Sequence, residues 1–362
     1  MIKKLLFITF CFTILACNSE MTNQLEPKGA ALGKMNEIVV VADEDMWKGA
    51  IGDTFKYYFQ SAYPILPNPE PVFDLRHFTV AELISQPLRK ELRTYAILAD
   101  MSDEESPTTK MVMKDMGSEK SRSAKLGEGP TSSVGKNKWA RGQILFYLFG
   151  SDKETLSASI KNHFSAVARR VNQHDEKQLE SSIYIDRTNQ RFTEKIKDQY
   201  GLDMTVPGEY KLVIESESSN TIWLRNDSRD AIQNIVIKSI PYTNQEQLSK
   251  SNIIKIRNDF GSKYITSDEE DDVMVVNEKD LPVYEYTFNL DGKYTKEIRG
   301  VWEMSKAFAG GPFTTYMIVD EDNKRLIYID TFVLAPGTRK RNLMMQLDYI
   351  VKSGRSTNRV QI

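Results

Sequence analysis

The residues able to do covalent chemistry are few, and two of them are cysteines near the start of the chain. The 362-residue sequence holds only Cys11 and Cys17, with three histidines, His77, His163 and His174. Ile14-Leu15-Ala16-Cys17 fits a bacterial lipobox: aliphatic, tolerant, small, then an obligatory cysteine. The Cys17 thiol takes the diacylglyceryl thioether before cleavage after Ala16, and the new amino terminus is then open to a fatty acyl chain of the palmitate kind. The residues ahead of it suit that fate. Met1-Ile2-Lys3-Lys4 is a basic n-region, and the apolar run from Leu5 to Ala16 spans about 18 Å as a helix against roughly 30 Å of bilayer hydrocarbon. Residues 1–16 therefore read as a lipoprotein signal peptide, not a membrane span. Several acyl chains on one residue, at about 0.8 kcal/mol per buried CH₂, hold a protein stably on a membrane. Asn18 at the following position is not the aspartate of inner-membrane retention, so the expected address is the outer membrane, on a face left open.

That reading removes a whole branch of chemistry. Cys11 leaves with the leader and Cys17 is blocked by lipid, so thiol nucleophiles, thiolate metal sites and disulfides are excluded from the mature body. No metal ligation is expected either, because the histidines fall in no metal-binding spacing. The acidic run Ser267 to Asp272 lacks the glycine and terminal glutamate of a calcium loop. Pro130 to Asn137 resembles a phosphate-binding loop only superficially, with proline in place of the first glycine and asparagine after Gly135-Lys136. Gly-x-Ser-x-Gly is absent. No cofactor is expected.

What remains is carboxylate and guanidinium chemistry in the last third. Arg299 and Glu303 fall on one face of a strand, about 13 Å apart, with Trp302 on the other. Asp330 interrupts the alternation of Leu326, Tyr328, Phe332 and Leu334, and a charge there must be paired or solvated. Arg299, Trp302, Glu303 and Asp330 are thus the candidates for a polar binding groove. The competing reading, ordinary ion pairing on a sheet surface, is the commoner outcome. Gly310-Gly311-Pro312 reads as a tight turn before a strand.

The elements that must position these groups divide into two patterns. Residues 17–34 are polar, without period, and read as a tether. Residues 35–200 read as one α+β domain. It has strands over Glu37–Ala42, Phe73–Phe78, Tyr95–Ala99 and Ile144–Phe149, and a helix carrying Leu156, Ile160, Phe164, Val167 and Val171 on one stripe. Within it, Tyr63 to Pro71 holds four prolines and must be extended, and residues 101–138 read as a long polar loop. Residues 201–362 read as a second α+β domain, with short strands, a helix from about Gln245 to Phe260, long alternating strands, a hairpin about Glu321–Lys324 and a closing helix. The expected fold is α+β, each domain a mainly antiparallel sheet packed by helices, the C-terminal half similar in layout to the PsbP/Mog1-like fold.

Several segments together resemble one family. They are Asn36-Glu37-Ile38-Val39-Val40-Val41 with Met46-Trp47-Lys48-Gly49, Leu66-Pro67-Asn68-Pro69-Glu70-Pro71, Trp139-Ala140-Arg141-Gly142-Gln143, Arg299-Gly300-Val301-Trp302-Glu303, Gly310-Gly311-Pro312-Phe313 and Phe332-Val333-Leu334-Ala335-Pro336-Gly337. The likeness is to the Bacteroidota lipoproteins grouped as domain of unknown function family 4837, and it extends over nearly the whole mature chain. It implies a cell-envelope lipoprotein and brings no catalytic or binding residues. With 48 basic against 50 acidic side chains and a formal charge of −2, a nucleic-acid partner is not expected. The expected function is non-enzymatic: a binding or accessory module, held to the membrane by its N-terminal lipid, with an envelope protein or polymer as partner. The alternative is a carboxylate-dependent hydrolase or lyase acting on envelope glycan or peptidoglycan.

Overall fold

The structure is a computed structural model that describes residues 28–353. The expected signal peptide and the expected lipidation site Cys17 lie outside the described residues. The chain divides into two compact units: residues up to Tyr58 with Asp74–Val171, and Phe59–Phe73 with Asn172 onward. The division falls inside a long helix and returns a proline-rich loop to the second unit, where the sequence placed a single boundary at Gly201.

The first unit runs β1 (Glu37–Val41), α1 (Glu44–Lys48), α2 (Ala50–Phe59), β2 (Asp74–Phe78), α3 (Val80–Ser85), β3 (Thr94–Asp100), α4 (Pro107–Met116), α5 (Ser118–Lys125), β4 (Ser132–Lys136), β5 (Ile144–Gly150) and α6 (Lys153–Ile183). α2 and α6 each end beyond the unit's limit. The sheet order is β2-β1-β3-β5-β4, and only the β4–β5 pair is antiparallel. The expectation of a mainly antiparallel sheet is therefore corrected here. The reason is visible in the strands: every residue of β3 and β5 is buried. Strands covered on both faces are continuous apolar runs, the mark of parallel sheets sheathed by helices.

Residues 101–138 are not one long loop. Ser106 caps α4 by accepting the Thr109 amide, and Pro107 occupies its first turn. Thr108, Thr109 and Val112 turn inward, and Met111, Met113 and Met116 pack on the core holding Ile97, Tyr147 and Phe149. The threonines, with Lys110, Lys114 and Asp115 set between the apolar residues, lower the local hydropathy enough to pass for loop. The expected tether is likewise fastened from Lys28 on. The Ala31 amide donates to Arg141 O at 2.8 Å, the Leu32 amide to Glu91 O at 2.7 Å, and Lys28 Nζ to Asn137 O at 2.8 Å.

The second unit contains α7 (Gln190–Tyr200), β6 (Lys211–Ser216), β7 (Thr221–Asp227), β8 (Ile232–Pro241), α8 (Lys250–Tyr264), β9 (Met274–Asn277), β10 (Tyr284–Leu290), β11 (Lys293–Met304), β12 (Gly310–Asp320), β13 (Arg325–Leu334) and α9 (Arg341–Lys352). Its sheet is antiparallel throughout, in the order β10-β11-β12-β13-β8-β7-β6, with β9 pairing the end of β11. Side chains alternate across the sheet. One face, with Trp223, Ile298, Trp302, Phe313 and Phe332, packs on Ile253, Ile254 and Phe260 of α8. The other face meets α9, whose Met344, Leu347, Ile350 and Val351 are buried. Gly310-Gly311-Pro312 belongs to β12 and is not a turn. A Cβ on Gly311 would lie 1.9 Å from Val333 O, so the strands approach there only because a side chain is missing.

Candidate binding site

The sheet separates the four residues singled out from sequence. Asp330 and Trp302 face α8; Arg299 and Glu303 face the α9 side. Asp330 is fully buried, its Oδ1 3.2 Å from Arg257 Nε and 2.6 Å from Thr315 Oγ1. Burial pushes its carboxyl up, against the opposing pull of Arg257 and Thr315. The Arg257 guanidinium lies 4.0 Å from the Phe313 ring centroid, so the pair is sealed in an aromatic core. Trp302 donates from Nε1 to Val333 O at 3.3 Å and sits edge-on to Phe332. Glu303 accepts from Asn277 Nδ2 at 2.8 Å. No groove unites the four.

Arg299 instead anchors a different constellation. β11 places Glu297 two residues before it on the same face, β12 brings Tyr316 opposite Glu297, and α9 supplies Asp348 and Lys352 one helical turn apart. Arg299 donates from Nε to Glu297 Oε1 at 2.5 Å and from Nη2 to Asp348 Oδ2 at 2.6 Å. Tyr316 OH donates to Asp348 Oδ1 at 2.7 Å, and Lys352 Nζ to Glu297 Oε2 at 3.1 Å. Two cations thus meet two carboxylates, and all four carboxylate oxygens accept a bond. Burial opposes the Arg299 charge, but Asp348, Tyr316 and Glu297 outweigh it and hold its pKa well above the ordinary value. Asp348 is held below the usual carboxylate range despite burial, by Arg299 and Lys352. Burial raises Tyr316 far above a free phenol, and it pushes Tyr63, on the proline-rich loop, up to about 12. Each shift leads away from neutrality, so Arg299, Asp348, Tyr316 and Tyr63 keep one protonation state near pH 7 and are poor proton donors or acceptors there.

The network is bordered by an open aromatic edge. In the β10–β11 register Tyr284 stands opposite Arg299, Tyr286 opposite Glu297 and Phe288 opposite Thr295. All three share the network's face. β10 ends the sheet, and Tyr284 and Tyr286 are 45% and 43% exposed. Lys352 Nζ lies 5.3 Å from both the Phe288 and the Tyr316 ring centroids, tying the edge to the network. Two amphipathic rings above fixed charges are suited to stacking and hydrogen bonding with a bound partner. Sequence reading found Arg299 and long alternating strands in this region, without singling out Tyr284, Tyr286 or Phe288 as site residues. It missed Asp348 and Lys352, whose spacing of four on the final helix was the available signal.

The first unit has an open hollow where α2 meets α6, lined by Asp53, Thr54, Tyr57, Tyr58, Glu154 and Lys161. Its topological switch lies between β1 and β3, where open α/β sheets commonly bind ligands. Here Asp43 at the end of β1 accepts from the Ser106 and Thr108 hydroxyls, and Asp100 at the end of β3 from Ser102. The crevice is filled by the protein's own hydroxyls. His77 bonds Ala42 O through Nε2 and stacks on Trp47 at 4.9 Å, while His163 bonds Thr131. Among the described residues no group of three or more His, Cys, Asp or Glu side chains is arranged to hold a metal ion. Among them, too, no helix is long and apolar enough to cross a membrane.

In comparison with known protein families, the two halves match different family models. Residues 189–353 match the domain of unknown function DUF4837, and residues 31–184 match the domain of unknown function DUF8532. The expected likeness to family 4837 over nearly the whole chain is therefore found over residues 189–353, while the first half matches a different model. No curated protein matches the chain. A solved structure of LpqN, described as involved in cell envelope biogenesis of Mycobacterium tuberculosis, aligns with 41% of this chain and 79% of its own at 11% identity and a TM-score of 0.25. The chain is thus similar in series to two domains of unknown function, and its chemistry must be read from its own residues.

Proposed function

We propose that the protein is a lipid-anchored binding module of the cell envelope, held at the outer membrane through Cys17 and engaging an envelope protein or polymer without transforming it. The observation that carries the binding reading is the β10 edge, where Tyr284 and Tyr286 stand half exposed beside Glu297, Arg299, Asp348 and Lys352. The lipobox Ile14-Leu15-Ala16-Cys17 supports the address. The saturation of the network by its own bonds favours binding over hydrolysis, because a glycan-cleaving site needs a carboxyl free to give or take a proton.

Full-length protein extracted from its own membranes in gentle detergent should bring a stoichiometric partner with it. The Tyr284→Ala, Tyr286→Ala double variant should lose that partner while its Tm stays within about 2 °C, since half-exposed rings carry little of the fold. A wild-type protein recovered as a partnerless monomer would count against the reading, as would a double variant that captures as well as wild type. The anchor is tested separately: Cys17→Ala should incorporate no labelled fatty acid and leave the membrane fraction.

A further inference from the structure

The turn between β11 and β12 presents a second, independent surface. Phe308 is wholly outside the fold, with an exposure of 110% of a reference extended residue. An aromatic side chain left in water forgoes the stabilisation that its burial would return. Its backbone is nevertheless fixed. The Ala309 amide donates to Ala307 O at 2.8 Å, which makes Phe308 the apex of a three-residue γ-turn. Before it, the buried Asp272 accepts the Lys306 amide at 2.7 Å, the Ala307 amide at 3.2 Å and the Ser305 hydroxyl at 3.0 Å. The Ser305 amide donates to Val273 O at 2.9 Å. The loop is therefore clamped on one side by a carboxylate and closed on the other by its own turn, with the ring held outward.

The clamp belongs to the acidic segment, so the same bonds dock the exposed run Asp268, Glu269, Glu270 and Asp271 on the loop that carries the ring, where Lys306 Nζ donates to Glu270 O. A bare aromatic knob with a negative collar repels anionic lipid headgroups and suits a surface of opposite pattern. We infer that Phe308 is a preorganised docking knob for a protein partner bearing an apolar pocket rimmed by lysine and arginine. The rigid turn spares the ordering cost that a flexible loop would meet on binding, which is how one aromatic anchor becomes a hot spot. This surface is distinct from the β10 edge, and its test does not depend on that reading.

The test places p-benzoylphenylalanine at position 308 of the full-length protein in the cells that make it, with the exposed aromatic position 57 as control. Illumination should give a discrete protein adduct from position 308 alone, mapping next to basic residues of another protein. The adduct should fade when Asp268, Glu269, Glu270 and Asp271 are changed together to Asn or Gln, and in high salt, because exposed charges are screened beyond about 10 Å at 0.1 M. With that partner purified, Phe308→Ala should weaken binding at least about tenfold with an unchanged Tm. Asp272→Ala should weaken it as well, although Phe308 is intact, because the clamp is gone. Adducts to lipid, to a second copy of this chain or to nothing, or a yield indifferent to the acidic residues, would overturn the inference.

Discussion

Glu70 and Lys340 are separated by 270 positions in sequence, yet the Glu70 carboxylate accepts the Lys340 amide at 2.6 Å and the Arg341 amide at 3.1 Å. α9 has no cap of its own: Lys340 precedes it without a side-chain bond to the first turn. The opening amides of a helix need acceptors, and the proline-rich loop supplies one from the far end of the chain. Arg341 completes the clasp by donating from Nη1 to Pro71 O at 2.5 Å. The prolines make the loop stiff enough to hold a carboxylate there. Because α9 carries Asp348 and Lys352, the loop also sets the position of the Arg299 network.

Glu70→Ala should cost about 1–2 kcal/mol of unfolding free energy, the usual size of a lost cap reinforced by the helix dipole. Glu70→Gln retains one acceptor oxygen and should lose roughly half as much. Urea unfolding checks this, with an unchanged m-value expected. Equal losses from both substitutions would show that charge, not the cap geometry, holds the helix end.

The Arg257–Asp330 pair should behave as a unit. Removing either partner leaves an unpaired group among Phe313, Phe332 and Met274, so Arg257→Met and Asp330→Val should each destabilise the protein by about 3–5 kcal/mol. The double variant should recover most of that loss, since a buried pair replaced by apolar groups of similar size is often close to neutral. A double-mutant cycle reads the coupling. Additive losses would mean that the two charges are solvated by something other than each other.

Asp320, at the β12–β13 hairpin, should govern part of the acid limb of stability. Burial alone would raise its carboxyl, but bonds from Arg325, Asn323 and Lys293 bring it down to about 2. A carboxyl held below its unfolded value of about 3.9 stabilises the fold above that pH and loses the contribution as pH falls through its folded value. The shift corresponds to about 2 kcal/mol. Asp320→Asn should therefore be less stable than wild type by about that amount at pH 7, and the gap should close between about pH 4 and pH 2. A gap that stays constant with pH would assign the loss to packing.

Legibility of the fold followed the range of the physics involved. Alternation in β10–β13 and the apolar stripe of α9 are local, and both were visible in the sequence. The parallel order of the first sheet was not, because fully buried strands such as β3 and β5 show no alternation from which pairing can be inferred. α4 reads as loop because its inward residues are threonine, valine and methionine, interleaved with Lys110, Lys114 and Asp115. Arg299 was found by its type, but its partners Asp348 and Tyr316 come from other elements, and only register and packing decide which charges meet. Asp330 was found for the same reason and turned out to face the opposite side of the sheet.

Arg299 is where binding and catalysis make opposite forecasts. Within the network it bonds both carboxylates, Glu297 and Asp348, and its side chain is 14% exposed. Arg299→Ala would leave Asp348 with Tyr316 and Lys352 as its nearest support and strip Glu297 of one of two cations. Deleting one member of a mostly buried ion cluster costs about 3 kcal/mol, so the variant should melt measurably below wild type. Arg299→Lys keeps the charge but cannot span both carboxylates, and should fall between the two. The remaining Asp348 carboxylate, relieved of its main cation, should titrate higher, which carbon-detected NMR of the side chain can follow as an upward move of its midpoint. If Arg299 were instead a catalytic group poised over a substrate, its removal would leave Tm and the Asp348 midpoint unmoved while abolishing activity. Loss of stability together with the Asp348 shift would place Arg299 as the brace that fixes the surface beside Tyr284 and Tyr286.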